Sequence, residues 1–305
     1  MVLASSILMV RPACFRFNEE TAANNFFQHL PDREPHLIQQ RALDEFDGVV
    51  RLLRDHGVSV RVVEDTPEPC KPDAVFPNNW LGTAPDGRLF IFPLYAASRR
   101  SEKREEVLQQ LANDYRIDDV QDWTEFEAEG RFLEGTGSMI IDHTNRMIYA
   151  SLSERTHPAL VEGFAARNGY QALLFMASHA DGRPVYHTNV VLALGAGFCI
   201  LCDEAIEEEW ERIALHQLLG STGHVIVSIT REQMERFAGN VLMLTNATDE
   251  QLIVISRTAL AALRSDQVQA LEAHGTLLVA DIPTIESVGG GSVRCMFAEL
   301  FLQPR

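Results

Sequence analysis

A thiol, an imidazole and a carboxylate can together perform nucleophilic catalysis, and this sequence sets one of each among small and amide-bearing residues. Cys295 follows Gly289-Gly290-Gly291-Ser292-Val293-Arg294, His187 lies in Tyr186-His187-Thr188-Asn189, and Glu134 opens Glu134-Gly135-Thr136-Gly137-Ser138. A thiolate can attack an electrophilic carbon, a histidine can move the protons, and an acid can orient the histidine or the substrate. A further acidic and amide-rich stretch runs Asp73-Ala74-Val75-Phe76-Pro77-Asn78-Asn79-Trp80. Taken singly these are weak signals. A cysteine opening an apolar strand is more often a small core residue, and a histidine before one is more often structural. Glu134 among glycines reads equally as a turn acceptor, and Asp73 after Pro72 as a cap. The triple glycine lacks the Gly-Lys-Ser/Thr of a phosphate loop and instead lets the backbone come close beside Cys295.

Other clusters carry less. Cys199-Ile200-Leu201-Cys202 has C-x-x-C spacing but falls inside an apolar strand with no second pair of ligands, so it reads as core. Glu207-Glu208-Glu209 and the acidic stretch 125–129 read as solvated faces. The histidines show no metal-ligand spacing, and neither a metal nor a cofactor is expected.

What brings the reactive residues together is a repeat. Three segments follow one plan of strand, tight turn, strand, cap, amphipathic helix and strand. They start at Ser138, Asn189 and Asn240, with Ser153, Asp203 and Ser256 expected to cap helices over 154–168, 204–219 and 257–274. A fourth copy starts at Asn79, with its helix expected near 101–115. The fifth is split between a strand over 295–302 and the N-terminal strand 7–10 with a helix near 42–56. The fold class is therefore α/β, a pseudo-symmetric ring of five repeated ββαβ units. Its ring is closed by the N- and C-terminal strands, a closure that leaves no orphan edge. Equivalent starts face one axis, so Cys295, His187, Glu134 and the 73–79 segment converge there. Residues 1–305 read as a single catalytic domain.

Composition bounds the partners. The chain is 46% hydrophobic and 23% charged, as in ordinary globular proteins, and carries a formal net charge of −17. That balance disfavours nucleic acid and anionic membrane surfaces. Five cysteines in 305 residues do not make a disulfide framework, and no apolar run approaches the roughly 20 residues that span a bilayer. The first residues read as a strand rather than a signal peptide, which points to the cytoplasm.

These motifs resemble the superfamily of guanidino-group-modifying enzymes, which includes arginine deiminases, dimethylargininases, agmatine deiminases and amidinotransferases. The citrulline-utilisation hydrolases are the most similar branch. The likeness rests on Met9-Val10-Arg11-Pro12, Phe76-Pro77-Asn78-Asn79-Trp80, Glu134-Gly135-Thr136-Gly137-Ser138, Tyr186-His187-Thr188-Asn189 and the segment 282–295. It implies a five-bladed α/β-propeller, Cys295 as nucleophile, His187 as general acid and base, and Glu134 as the orienting acid. It also implies substrate contacts from Asp73, Phe76, Asn78, Asn79 and Asn189, and a carboxylate site at Arg99 and Arg155. The other reading of both arginines is an exposed charge at a helix start.

Many related deiminases carry an aspartate where this chain has Asn79, and some have H-x-D where it has His187-Thr188-Asn189. Those aspartates pair with a guanidinium. Neutral amides suit a neutral ureido group instead, because they can both donate to its carbonyl and accept from its N–H groups. The resemblance therefore implies hydrolysis of citrulline to ornithine, ammonia and carbon dioxide. The alternatives are an arginine or dimethylarginine deiminase, an amidinotransferase and, from another class, a non-catalytic propeller that binds a partner, like the ribosome anti-association factors. The expected partner is a small amino acid, with a homodimer as the candidate assembly.

Overall fold

A computed structural model describes residues 1–305. Its strands fall into five separate three-stranded sheets, each built the same way. β1 (Ser6–Arg11) pairs in parallel with β2 (Ser59–Glu64). The next sheets are β3 (Leu81–Thr83), β4 (Arg88–Ile91) and β5 (Asp119–Asp122), then β6 (Ile140–Asp142), β7 (Met147–Ser151) and β8 (Gln171–Phe175). They are followed by β9 (Leu192–Gly195), β10 (Phe198–Leu201) and β11 (Val225–Ser228), then β12 (Leu242–Thr245), β13 (Gln251–Ser256) and β14 (Thr276–Ala280). The chain's last strand, β15 (Ala298–Glu299), pairs antiparallel with β1 through Ile7↔Glu299 and Leu8↔Ala298. In every sheet the middle strand is antiparallel to one neighbour and parallel to the other, and a helical crossover joins the parallel pair.

The crossover helices form where apolar residues recur at helical spacing. In Pro35–Asp55 the buried positions are Ile38, Ala42, Phe46, Val49, Val50 and Leu53, one stripe that lies against β2 and β14. The others are Glu105–Asp114, Pro158–Asn168, Glu209–Ser221, and the pair Arg257–Ala262 and Ser265–Glu272. Of the three expected caps, Ser256 does cap its helix, accepting from Ala259 N–H at 3.0 Å. Ser153 and Asp203 do not, because their helices start later. Pro158 sets the first turn of one, and Asp203 instead accepts from Ser228 Oγ at 2.6 Å and bonds to His216 Nε2 at 2.6 Å.

Two expectations about strands change. The unit starts are not strand residues. Asn79, Ser138, Asn189 and Cys295 sit in short helical turns, Pro77–Asn79, Gly135–Ser138, Thr188–Val191 and Val293–Met296, just ahead of each first strand. A strand would send successive side chains to opposite faces, whereas a turn keeps neighbouring side chains at one end of the sheet. The expected closure also goes only as far as the pairing of the termini, since the five sheets stay separate and no hydrogen-bonded ladder runs around them. Pairing of the termini completes the fifth sheet, and the sheets meet by packing of first strands, β15 on β3, β6 on β9 and β9 on β12. The helical turns touch one another as well, Pro77–Asn79 against both Gly135–Ser138 and Val293–Met296, and Gly135–Ser138 against Thr188–Val191.

The cysteine reading needs one addition. Cys14 and Cys70 form a disulfide, while Cys199, Cys202 and Cys295 are free and buried. No helix is long and apolar enough to cross a membrane.

Candidate active site

Cys295 is placed by the loop before it. A five-residue π-helical segment, Ile285–Gly289, leads into Gly290, whose φ of +68° is left-handed backbone that favours glycine. A Cβ there would lie 2.4 Å from Gln28 and 2.6 Å from Asn25. Ser292 then donates its hydroxyl to Glu286 at 2.6 Å and accepts the Cys295 N–H at 2.9 Å, fixing the turn that presents the thiol. Two side-chain amides reach the sulfur, Asn189 Nδ2 at 3.5 Å and Asn240 Nδ2 at 3.4 Å. Burial pushes the thiol above its ordinary pKa, and hydrogen bonds from Asn240, the Ser292 backbone and Asn189 only partly offset that.

His187 bonds through Nε2 to Glu134 Oε2 at 2.8 Å, and Glu134 Oε1 accepts the Tyr95 N–H at 2.9 Å. Burial works against ionisation of Glu134, but Arg155, His187 and Arg99 outweigh it and hold the carboxyl below the usual carboxylate range. Burial dominates at His187 and lowers its pKa to about 4 despite Glu134. At neutral pH the pair is therefore an uncharged imidazole donating Nε2–H to a carboxylate, which leaves Nδ1 as the nitrogen able to take a proton. Gly137 permits this arrangement, since a Cβ there would lie 2.7 Å from the imidazole and 2.6 Å from Asn79 Nδ2.

Around this pair the structure gathers the other expected residues. Arg99 and Arg155 are buried rather than exposed, each only 2% accessible. Burying a guanidinium requires partners, and both have them. Arg99 donates Nε and Nη2 to Glu102 at 2.9 Å each, Nη1 to Asn79 Oδ1 at 2.7 Å and Nη2 to Phe76 O at 3.2 Å. Arg155 donates to Asn24 Oδ1 at 3.0 Å, Thr21 O at 3.1 Å and Glu134 Oε2 at 3.5 Å. Asp73 Oδ2 accepts from Asn18 Nδ2 at 2.7 Å and Thr21 Oγ1 at 3.2 Å, whereas its Oδ1 has no partner. Burial raises the Asp73 pKa against the pull of Arg99. Asn79 Nδ2 donates to Asn78 Oδ1 at 3.1 Å, and Asn78 Nδ2 to Thr136 Oγ1 at 3.2 Å.

The cavity these groups enclose is small. Asp73, Phe76, Asn79, Arg99, Arg155, His187 and Cys295 line about 10 Å³, the room of a single water. It is covered by the segment 18–28, whose Asn25 Nδ2 donates to Gly290 O at 3.1 Å and Gln28 Nε2 to Val288 O at 3.1 Å. An amino acid cannot occupy that volume unless the cover shifts. Sequence reasoning did not single out this segment, nor Tyr95, Glu102, or Tyr186 as a donor to Gly290 O at 2.7 Å. It also left Asn240 unused, although Asn240 starts a unit just as Asn79 and Asn189 start others. No group of His, Cys, Asp or Glu is arranged to hold a metal ion.

The family model for N,N dimethylarginine dimethylhydrolase, eukaryotic, matches residues 11–302. No curated protein matches the sequence. Among solved structures, the N-terminal domain of ArgZ bound to substrate, an arginine dihydrolase of the ornithine–ammonia cycle in cyanobacteria, aligns with a TM-score of 0.73 at 15% identity. That alignment covers 96% of each chain. Against the longer apo ArgZ the TM-score is 0.72 at 16% identity, and the chain spans 40% of that protein's length. DDAH from Pseudomonas aeruginosa, in complex with citrulline, aligns with a TM-score of 0.70 at 15% identity over 98% of this chain and 100% of its own. At these identities the likeness is one of fold.

Proposed function

The chain belongs to the eukaryotic N,N dimethylarginine dimethylhydrolase family, and from the chemistry of its site we propose that it is a cysteine-dependent hydrolase of the ureido carbon of citrulline, releasing ornithine, ammonia and carbon dioxide. The observation that carries the choice of substrate is that the side chains hydrogen-bonded to the buried thiol are neutral amides, Asn189 and Asn240. Asn79 is neutral too, and it spends its carbonyl on Arg99. A guanidinium placed here without a carboxylate of its own would be a buried uncompensated charge, costing roughly 3–5 kcal/mol. A ureido group brings no charge, and its N–H groups suit the unpartnered Asn189 Oδ1.

In this reading His187 Nδ1 takes the Cys295 proton and the thiolate attacks the ureido carbon. The imidazolium then protonates the departing δ-nitrogen, which frees ornithine and leaves an S-carbamoyl enzyme. Neutral His187 next activates a water against that intermediate, and the carbamate formed breaks down to ammonia and carbon dioxide. Glu134 keeps the imidazole oriented and steadies its charged form. Asp73, with Oδ1 free, meets the amino-acid end or the reacting group, and Phe76 and Asn78 shape the wall. Arg99 and Arg155 take the substrate carboxylate when the cover opens and their present partners are released. The reading treats residues 1–305 as one catalytic domain, with the five sheets as blades of a propeller and a homodimer as the assembly. It places the enzyme in the cytoplasm, a location with which the Cys14–Cys70 disulfide is at odds.

The family's own name and one feature of the site favour a second reading, a dimethylargininase or arginine deiminase. Three buried carboxylates, Asp73, Glu102 and Glu134, face two buried guanidiniums, Arg99 and Arg155. Burial raises the Glu102 pKa against the pull of Arg99, which lessens the excess negative charge. The test is to incubate the purified protein separately with citrulline, arginine and dimethylarginine and to identify the products by mass. Ornithine from citrulline, with arginine inert, is expected. Citrulline accumulating from arginine or dimethylarginine would overturn the proposal in favour of the second reading.

A further inference from the structure

We infer that Asn240 is a catalytic residue, whose fixed carboxamide donates to Cys295 Sγ and supports the negative charge the nucleophile must carry. The inference rests on Cys295 being the nucleophile, but not on which substrate it attacks.

Asn240 cannot turn its amide. Its Oδ1 accepts the Arg294 N–H at 3.0 Å, and a backbone N–H can only donate, so the oxygen must face residue 294. The NH₂ group is then left on the other side, where it meets Sγ at 3.4 Å and Asn189 O at 2.9 Å. Two bonds thus pin the amide, one of them to the residue immediately before the nucleophile. Gly239 makes the placement possible. A Cβ there would lie 2.1 Å from Val190 O, so only glycine lets Asn240 seat against the turn that carries Asn189.

Asn189 differs. It also donates to Sγ, but its Oδ1 is buried without a partner. Its amide is free to adjust to a substrate, while that of Asn240 stays committed to the thiol.

No cationic side chain hydrogen-bonds the sulfur, and Arg294 acts on it only through space. The Arg294 guanidinium, next in the chain, turns to Phe297 O at 3.1 Å and Glu299 Oε2 at 2.7 Å. His187 is engaged with Glu134. When the thiol proton passes to His187, the charge left on sulfur is met by oriented amide dipoles that need no reorganisation. In a buried site such dipoles count for far more than they would in water.

The test is the pH dependence of alkylation of Cys295 by iodoacetamide, followed by mass on its own peptide because Cys199 and Cys202 are also free thiols. Asn240→Asp keeps an oxygen for the Arg294 N–H and removes the donor to sulfur. Asn240→Ala removes the donor and adds no charge. In both, the alkylation midpoint is expected to rise by about one unit, a roughly tenfold slower reaction at neutral pH. Turnover should fall about 10²–10³-fold with KM changed little, as for loss of one charge-stabilising donor. An alkylation profile equal to that of the unaltered protein in both variants, with kcat retained, would overturn the inference. A shifted profile in a protein that does not hydrolyse citrulline would support it while removing the substrate proposal.

Discussion

Cys199 and Cys295 are almost equally buried, at 0% and 3% exposure, yet the two regions around them make different chemical objects of the same thiol. Cys199 lies on β10, in the middle strand of its sheet, where the ladder consumes the backbone donors and acceptors. Its sulfur finds only the Ile200 carbonyl at 3.4 Å, and burial drives its pKa far up with no donor to oppose it. Cys295 lies in a turn ahead of a strand, and two amides from other units reach it there. Depth does not distinguish a reactive thiol from an inert one. The distinction comes from whether side chains of other units can arrive, which the helical turns allow and the ladder does not.

The largest effect should come from reversing that contrast directly. Cys295→Ser should lower turnover by at least about 10³-fold without loss of folding, since a serine hydroxyl is a far poorer nucleophile beside a neutral imidazole. Cys199→Ala should leave turnover within about twofold and cost on the order of 1 kcal/mol of stability, as a small loss of core volume. Near-normal turnover by the first variant, or collapse of activity in a folded second one, would break the comparison.

Next comes the pair that serves one thiol and not the other. Glu134→Gln should reduce kcat about 10²–10⁴-fold, because His187 loses both its orientation and the charge that steadies the imidazolium. The pH profile gives the sign. His187 must be neutral to accept the thiol proton, and burial places its pKa at about 4. The rate should therefore be flat between about pH 5 and 8, with its acid limb lower than that of an ordinary histidine near 6.5. Glu134 raises that pKa, so its removal should move the limb lower still. An inflection near 6.5 would mean that His187 is solvated and not locked to Glu134. A smaller loss, about 10–10²-fold, is expected from Gly137→Ala, whose Cβ would push the imidazole away by crowding it at 2.7 Å. Unchanged kinetics there would show that the imidazole position is not critical.

Much of the fold could be read before the structure, because periodicity reports it. The helix expected near 42–56, which in fact begins at Pro35, and the paired strands around the turn at Asp86-Gly87 follow from spacing and turn chemistry, and the same spacing brought Cys295, His187 and Glu134 to equivalent points. The helical turns escaped notice since three or four residues cannot display a period. Residue type alone left Arg99 and Arg155 open between a carboxylate site and exposed helix-start charges, and only the carboxylates and carbonyls folded around them make their burial tenable. Asn240 was visible at its unit start, but only contact with Sγ shows what it does. The cover over 18–28 mixes polar residues with Ala22, Ala23, Phe26 and Phe27 in no regular period, and nothing in its composition says where it folds back.

The Cys14–Cys70 disulfide is the third sulfur environment, and it should have the smallest effect on chemistry. It joins the chain just ahead of the cover to the segment bearing Asp73, at a sequence separation of 56 that spans the helix Pro35–Asp55. Four residues beyond Cys14, Asn18 donates to Asp73, which lies three residues beyond Cys70, so the covalent bond and the hydrogen bond tie the same two strands of chain. Breaking the disulfide should therefore act on the cover and on stability rather than on the thiol. In a loop of this length, loss of the crosslink should cost about 2–4 kcal/mol. The double variant Cys14→Ser, Cys70→Ser should unfold several degrees lower, with KM raised a few-fold and kcat nearly unchanged. The alkylation profile of Cys295 should also keep its midpoint, since neither Asn189 nor Asn240 is held by the crosslinked segments. A fall in kcat comparable to that of Gly137→Ala would instead show that the cover and the nucleophile loop act as one unit, coupled through Asn25 and Gln28 to Gly290 and Val288.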